Sequence, residues 1–181
     1  MVRLPEFMSK EDLSQDQRPV FATIVEKLGR MRLPFSILLN SPEVAGAVFD
    51  LAMRLKIQPK VPAEDRETAI LTVARELDCE YEWSQHVEIA LRAGVREEVI
   101  DAIAHRCPLD AFTKEQALIV AYVRELIQGH RISDATFEAA RARYGNDGLT
   151  DLTAKMAIYV MLTCFFNAFG VEAPPDTPLL P

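Results

Sequence analysis

The chain has 181 residues, the size of one domain, with 49% hydrophobic residues to build a core and 26% charged residues for a surface. Its formal net charge of −7, with no block of Lys and Arg, argues against nucleic acid and anionic lipid as partners. No run reaches the roughly 20 uninterrupted apolar residues of a membrane span, and the first ten residues lack an apolar signal core, so no membrane partner and a cytoplasmic location are expected. Three cysteines, Cys79, Cys107 and Cys164, are too few and too widely spaced for a disulfide framework, and with three His they form no zinc pattern.

Residues 1–18 are polar and Pro-flanked and read as a loosely attached arm. A helix is expected over 19–30, with Phe21, Ile24, Val25 and Leu28 at helical spacing and Gly29 as its stop. Residues 31–39 read as an apolar connector broken by Pro34. Ser41-Pro42 opens the next helix, because Ser caps free N–H groups and Pro fits the first turn. That helix runs to about residue 55, with Val44, Val48, Leu51, Ala52 and Leu55 as its buried stripe.

After a loop at 57–62, helices are expected over 63–77, 80–93 and 96–106, the second stopped by Gly94. Thr113-Lys-Glu-Gln116 is a capping box that opens a helix to about Gln128. Ser133 caps a helix over 134–144, stopped by Gly145. The last helix, 149–169, is apolar almost all round, which predicts a central place or a partner chain against it. The tail, 171–181, is Pro-rich and cannot continue it. No run alternates β-branched residues between turn signals, so the expected fold is all-α, in a single domain over 1–181.

Chemistry concentrates in 67–86. On a helical wheel for 80–93, Cys79, Trp83, His86 and Ala90 share one face, with Glu82 one turn before His86 and Ser84, Glu88 and Arg92 opposite. On the preceding helix Glu67 lies at the edge of the stripe formed by Ile70, Val73, Ala74 and Leu77. Packed as an antiparallel hairpin, the two helices bring Glu67 towards His86. A His with a carboxylate to orient it is the usual arrangement for general acid/base work. Cys79 adds a candidate nucleophile. Each residue also has an ordinary role: a His or Trp on an apolar face is commonly core, Cys79 commonly packing, and Glu67 and Glu82 commonly solvated acids in a helix's first turn.

Glu67, eleven residues, then Cys79-x-x-Glu82-x-x-x-His86 and Ala93-Gly94 resembles the carboxymuconolactone decarboxylase and alkylhydroperoxidase D superfamily. The peroxidase branch carries a glutamate, eleven residues and C-x-x-C-x-x-x-H; here Glu82 stands at the second cysteine position. The run from Cys79 to His86 is similar to the form found in decarboxylase-like members. The resemblance is strongest over 41–103 and looser over 34–169.

It implies an alkylhydroperoxidase D-like helical bundle, assembled as a trimer or hexamer, with no cofactor and a small-molecule substrate. The peroxidase cycle needs a resolving thiol beside the attacking one, and Glu82 cannot supply it. The decarboxylase branch implies acid/base chemistry on a small carbonyl or lactone carboxylate. In it His86 carries the proton, Glu67 orients it, Glu82 borders the pocket and Trp83 contacts substrate. An anionic substrate would also want a cation, for which Arg66, Arg75 and Arg32 are candidates. A Cys79-dependent thiol antioxidant and a non-catalytic oligomeric binding protein are the alternatives.

Overall fold

The computed structural model describes residues 2–57 and 60–181, and among them there are α-helices and one short 3-10 turn but no strand. The chain divides into two compact units, Met1–Gln58 and Pro59–Pro181. Met1, at the head of the predicted arm, and Gln58 and Pro59, in the predicted loop at 57–62, lie outside the described residues.

The first unit holds α1 (Gln17–Leu28), α2 (Leu33–Leu38) and α3 (Pro42–Ile57). Gly29 ends α1 in the left-handed region, φ 76°, as a glycine stop requires. The expected connector is instead a helix, because Pro34 stands in the first turn of α2, where its missing N–H costs nothing. The arm before α1 is pinned rather than loose. Leu13 is buried, the Gln17 amide donates to the Leu39 carbonyl at 2.9 Å, and Asn40 donates to the Pro5 carbonyl at 2.9 Å. On α3 the buried face is Ala45, Val48 and Phe49, whereas Val44 and Leu51 are exposed. The stripe was therefore placed one flank round, because Phe49 and not Leu51 meets Phe35, edge to face at 5.2 Å.

The second unit carries α4 (Ala63–Glu76), α5 (Glu80–Ala93), α6 (Glu97–Ala104), a 3-10 turn (Leu109–Ala111), α7 (Lys114–Gln128) and α8 (Asp134–Phe169). The capping box on α7 forms as expected, with both reciprocal bonds between Thr113 and Gln116. The Ser133 side chain accepts from the Thr136 N–H at the start of α8. Gly145 breaks the helix as expected, with a non-helical φ of 66° and ψ of 176°, and α8 is two helical runs joined across this kink. Asp65 of α4 braces the kink by accepting from Tyr144 Oη at 2.7 Å and from Arg143 Nη2 at 2.9 Å.

The central helix of this unit is α4, not the apolar final helix. It packs against α5, α6, α7 and α8, and its residues 67–74 are all buried. Leu71 and Ala74 join a core cluster with Trp83, Val87 and Ile103, while Ala69 and Val73 join another with Ile119, Leu152 and Met156. Small residues at Ala69 and Ala74 let the neighbouring helices approach; Thr72 donates to the Thr68 carbonyl at 2.7 Å, while Thr68 Oγ1 is buried without a hydrogen-bond partner. At its end the buried Glu76 carboxylate accepts from Arg124 of α7 at 3.0 Å.

α8 is only partly covered. Leu152, Met156, Leu162 and Phe166 point into the core, but Ala157 and Cys164 are exposed and Val160, Met161 and Phe165 half-buried. By length and mean hydropathy it is the one described helix apolar enough to cross a membrane, which counting uninterrupted apolar residues does not bring out; 33% of its most apolar window is buried inside the chain.

Candidate active site

The turn from α4 to α5 sets the geometry. Asp78 takes a left-handed conformation, φ 48°, and the Cys79 N–H bonds to the Ala74 carbonyl at 2.8 Å, which closes α4 and starts α5 at once. Arg75 and Arg106 both bind the Asp78 carboxylate and hold this uncommon backbone in place. The chain then runs back along α4, so a residue two turns into α5 meets one in the second turn of α4.

That pair is His86 and Glu67. His86 Nδ1 lies 2.8 Å from Glu67 Oε2, and both residues are buried. An ionised carboxylate can only accept, so Nδ1 carries the proton and Nε2 presents its lone pair. Glu82, one turn before His86, places Oε2 3.5 Å from Nε2. That separation is longer than a good hydrogen bond. Glu82 is 3% exposed, and its other oxygen, Oε1, has no hydrogen-bond partner. Burial, helped by the Glu67 charge and opposed by His86, pushes the Glu82 carboxyl up to about 7. The positive end of α5 would favour its ionised form, but burial outweighs it.

Tyr159 of α8 closes the cluster. Its ring stands edge-on to the imidazole with centroids 5.0 Å apart, and Lys155 lies 5.8 Å from the Tyr159 centroid. Burial, then the carboxylates of Glu82 and Glu67, hold the phenol well above its ordinary value, while Arg66 pulls the other way. Tyr159 is the residue that sequence reasoning missed. Its signal was a lone phenol on an otherwise apolar stretch, since a buried Tyr hydroxyl needs a polar neighbour.

Cys79 shares the region but not the reactivity. It is wholly buried, and burial raises its thiol, opposed first by the Glu82 backbone N–H and then, beyond a smaller push from the Glu82 charge, by Thr163 and the Tyr81 backbone N–H. Trp83 sits about 60° round α5 from His86. It packs into the core with Leu71 and Ala74 and lines a separate cleft of about 380 Å³, floored by Val87 and Ile100 and bordered by Pro178 and Leu179 of the tail. Arg75 is committed to the Ala104 carbonyl and Asp78. Arg32 precedes α2 in the first unit. Arg66, which donates to the Val61 carbonyl, is the candidate cation that acts electrostatically on Tyr159. Among the described residues no group of three or more His, Cys, Asp and Glu is arranged to hold a metal ion.

Solved structures with this helical arrangement belong to alkylhydroperoxidase D-like proteins. An uncharacterized peroxidase-related protein from Ralstonia eutropha JMP134, an alkylhydroperoxidase AhpD core, superposes with a TM-score of 0.73 at 19% identity, covering 97% of this chain and 93% of that one. One from Silicibacter sp. TM1040 gives 0.73 at 15% identity, with 97% and 93% covered. A variant of the debrominase Bmp8 in complex with 2,3,4-tribromopyrrole gives 0.73 at 17% identity, with 97% and 92% covered. At these identities the likeness establishes the fold. Residues 42–123, which span α3 to α7 and include Glu67, Cys79, Glu82 and His86, match the carboxymuconolactone decarboxylase family. Over those residues the chain is similar to the carboxymuconolactone decarboxylase family, and its fold is that of the alkylhydroperoxidase D-like structures. No curated protein matches its sequence.

Proposed function

We propose that the chain is an acid/base enzyme acting on a small carbonyl or lactone carboxylate, with His86 as proton carrier and Glu67 as the group that orients it. The observation that carries this reading is the 2.8 Å bond between His86 Nδ1 and Glu67. It fixes the tautomer that offers Nε2 as a base and stabilises the imidazolium once Nε2 takes a proton. Glu82 borders the same space, and Arg66 is the candidate partner for a substrate carboxylate.

A thiol mechanism has less support. The Cys79 thiol is buried and pushed up, and Glu82 occupies the place of a resolving cysteine. The family resemblance fits either chemistry, because one scaffold hosts several reactions. The test is turnover of a panel of small lactone and β-keto carboxylates. His86→Ala and Glu67→Gln should each lower kcat by roughly 100-fold or more. Variants that stay folded and fully active would overturn the proposal.

A further inference from the structure

We infer that Glu82 is a second catalytic residue, a neutral acid that protonates the carbonyl oxygen of an enolisable substrate while His86 Nε2 removes a proton from the adjacent carbon. This rests on the acid/base reading above and narrows its substrate class to carbonyl compounds with an acidic C–H beside the carbonyl, unconjugated lactones among them.

Three observations place Glu82 in this role. Its Oε2 and His86 Nε2 face each other across 3.5 Å, and Nε2 is the ring nitrogen that Glu67 leaves free. Its Oε1 is a buried polar atom with no partner, on a side chain almost wholly withdrawn from solvent. A carboxyl group buried without a full set of partners is destabilised relative to water unless a ligand supplies what is missing. Glu67 cannot take the part, because its carboxylate is engaged on Nδ1.

The groups facing Glu82 favour its protonated form. Glu67 from α4, Tyr159 from α8 and the Cys79 thiol at the start of α5 offer no positive charge; His86 alone opposes them, and Arg66 acts on Tyr159. The balance of burial against the imidazole sets the carboxyl near neutrality, where an acid can both give and regain a proton.

The step balances without an oxidant or a reductant. Nε2 takes the proton from the carbon, the C–H electron pair becomes the C=C bond of an enol, and the carbonyl oxygen takes the Glu82 proton. An imidazolium and a carboxylate then face each other. The enol returns its O–H proton to Glu82 while the imidazolium delivers a proton to the same carbon, which gives exchange once its Nε2 proton has traded with solvent, or to the far end of the conjugated system, which gives isomerisation.

The test uses the full-length protein and α-angelica lactone, an unconjugated five-membered lactone, followed by ultraviolet absorbance of the conjugated isomer and by deuterium uptake from D₂O. Wild type should isomerise and exchange it. Glu82→Gln should lose about 100-fold in kcat and also the alkaline limb of the pH profile, since its amide has no proton to titrate. Infrared difference spectroscopy on the folded wild type should show a protonated carboxyl band near neutral pH that Glu82→Gln lacks. Full kcat and an unchanged alkaline limb in Glu82→Gln, alongside an inactive His86→Ala, would overturn the role of Glu82 and leave the acid/base reading standing. A wild type that leaves the lactone unexchanged overturns the enolisation inference, and the carboxylate panel then judges the acid/base reading separately. Absence of the carboxyl band counts against the inference even if the variant misfolds.

Discussion

Replacing Glu82 by Gln should make the protein more stable, and the gain should depend on pH in a specified way. The carboxyl rises from its ordinary 4.5 to about 7 on folding, chiefly through burial. A raised acid binds its proton more tightly in the folded state than in the unfolded one. Its favourable contribution is therefore complete below the unfolded value and is lost as pH climbs through the folded one. At about 1.4 kcal/mol per pKa unit, the loss between pH 4 and pH 8 is on the order of 3 kcal/mol. Gln resembles the protonated acid in shape and has no charge to bury. Urea unfolding at fixed protein concentration should give nearly equal stability for wild type and variant at pH 4, and a variant more stable by up to about 3 kcal/mol at pH 8. The same difference at both pH values, or a variant weaker at pH 8, would refute the assignment of a buried and reluctantly ionised Glu82.

Other outcomes follow from the same packing. Cys79, wholly buried with its thiol pushed up, should react with iodoacetamide more slowly than Cys107 in the native protein, and repeated alkyl hydroperoxide turnover with a dithiol reductant should be weak. Phe166, 1% exposed and 4.7 Å from the Tyr81 ring centroid, should cost about 3–5 kcal/mol when truncated to Ala, read from urea unfolding. The outward apolar positions of α8, Ala157, Val160, Met161 and Cys164, suit contact with further copies of the chain. A trimer or hexamer is therefore the proposed assembly; light scattering at micromolar concentration should exceed the 20.3 kDa of one chain, and a value near that mass would count against it.

Much of the helix order was legible because its boundaries are written in local chemistry. Thr113, Ser133, Gly94 and Gly29 act through bonds or dihedrals within one turn, so their meaning does not depend on the rest of the fold. Pro34 was misread because the same residue breaks a helix from inside and opens one from its first turn. Gly145 was legible as a stop, since its non-helical φ and ψ end the first run of α8, and Asp65 holds Tyr144 and Arg143 just before the break. The central place of α4 was hidden because its carboxylates, Asp65 and Glu67, find partners on other helices that only the packed state supplies. Within the site, the approach of Glu67 to His86 followed from a hairpin and a spacing, whereas Tyr159 arrives from a helix far along the chain. The wheel grouped Trp83 with His86, but the two diverge into different surroundings because a third helix wedges its Tyr159 against only one of them.

The central claim is that Glu67 and His86 act as one proton-handling unit. The most direct measurement is a double-mutant cycle on kcat with a substrate drawn from the lactone and β-keto carboxylate panel, using His86→Ala, Glu67→Gln and the pair. Members of one unit are not additive, so the double variant should be little slower than the worse single, each single having lost roughly 100-fold or more. Losses that multiply, or singles that keep full turnover while stability alone falls, would contradict it and leave the 2.8 Å contact as a buried structural bond.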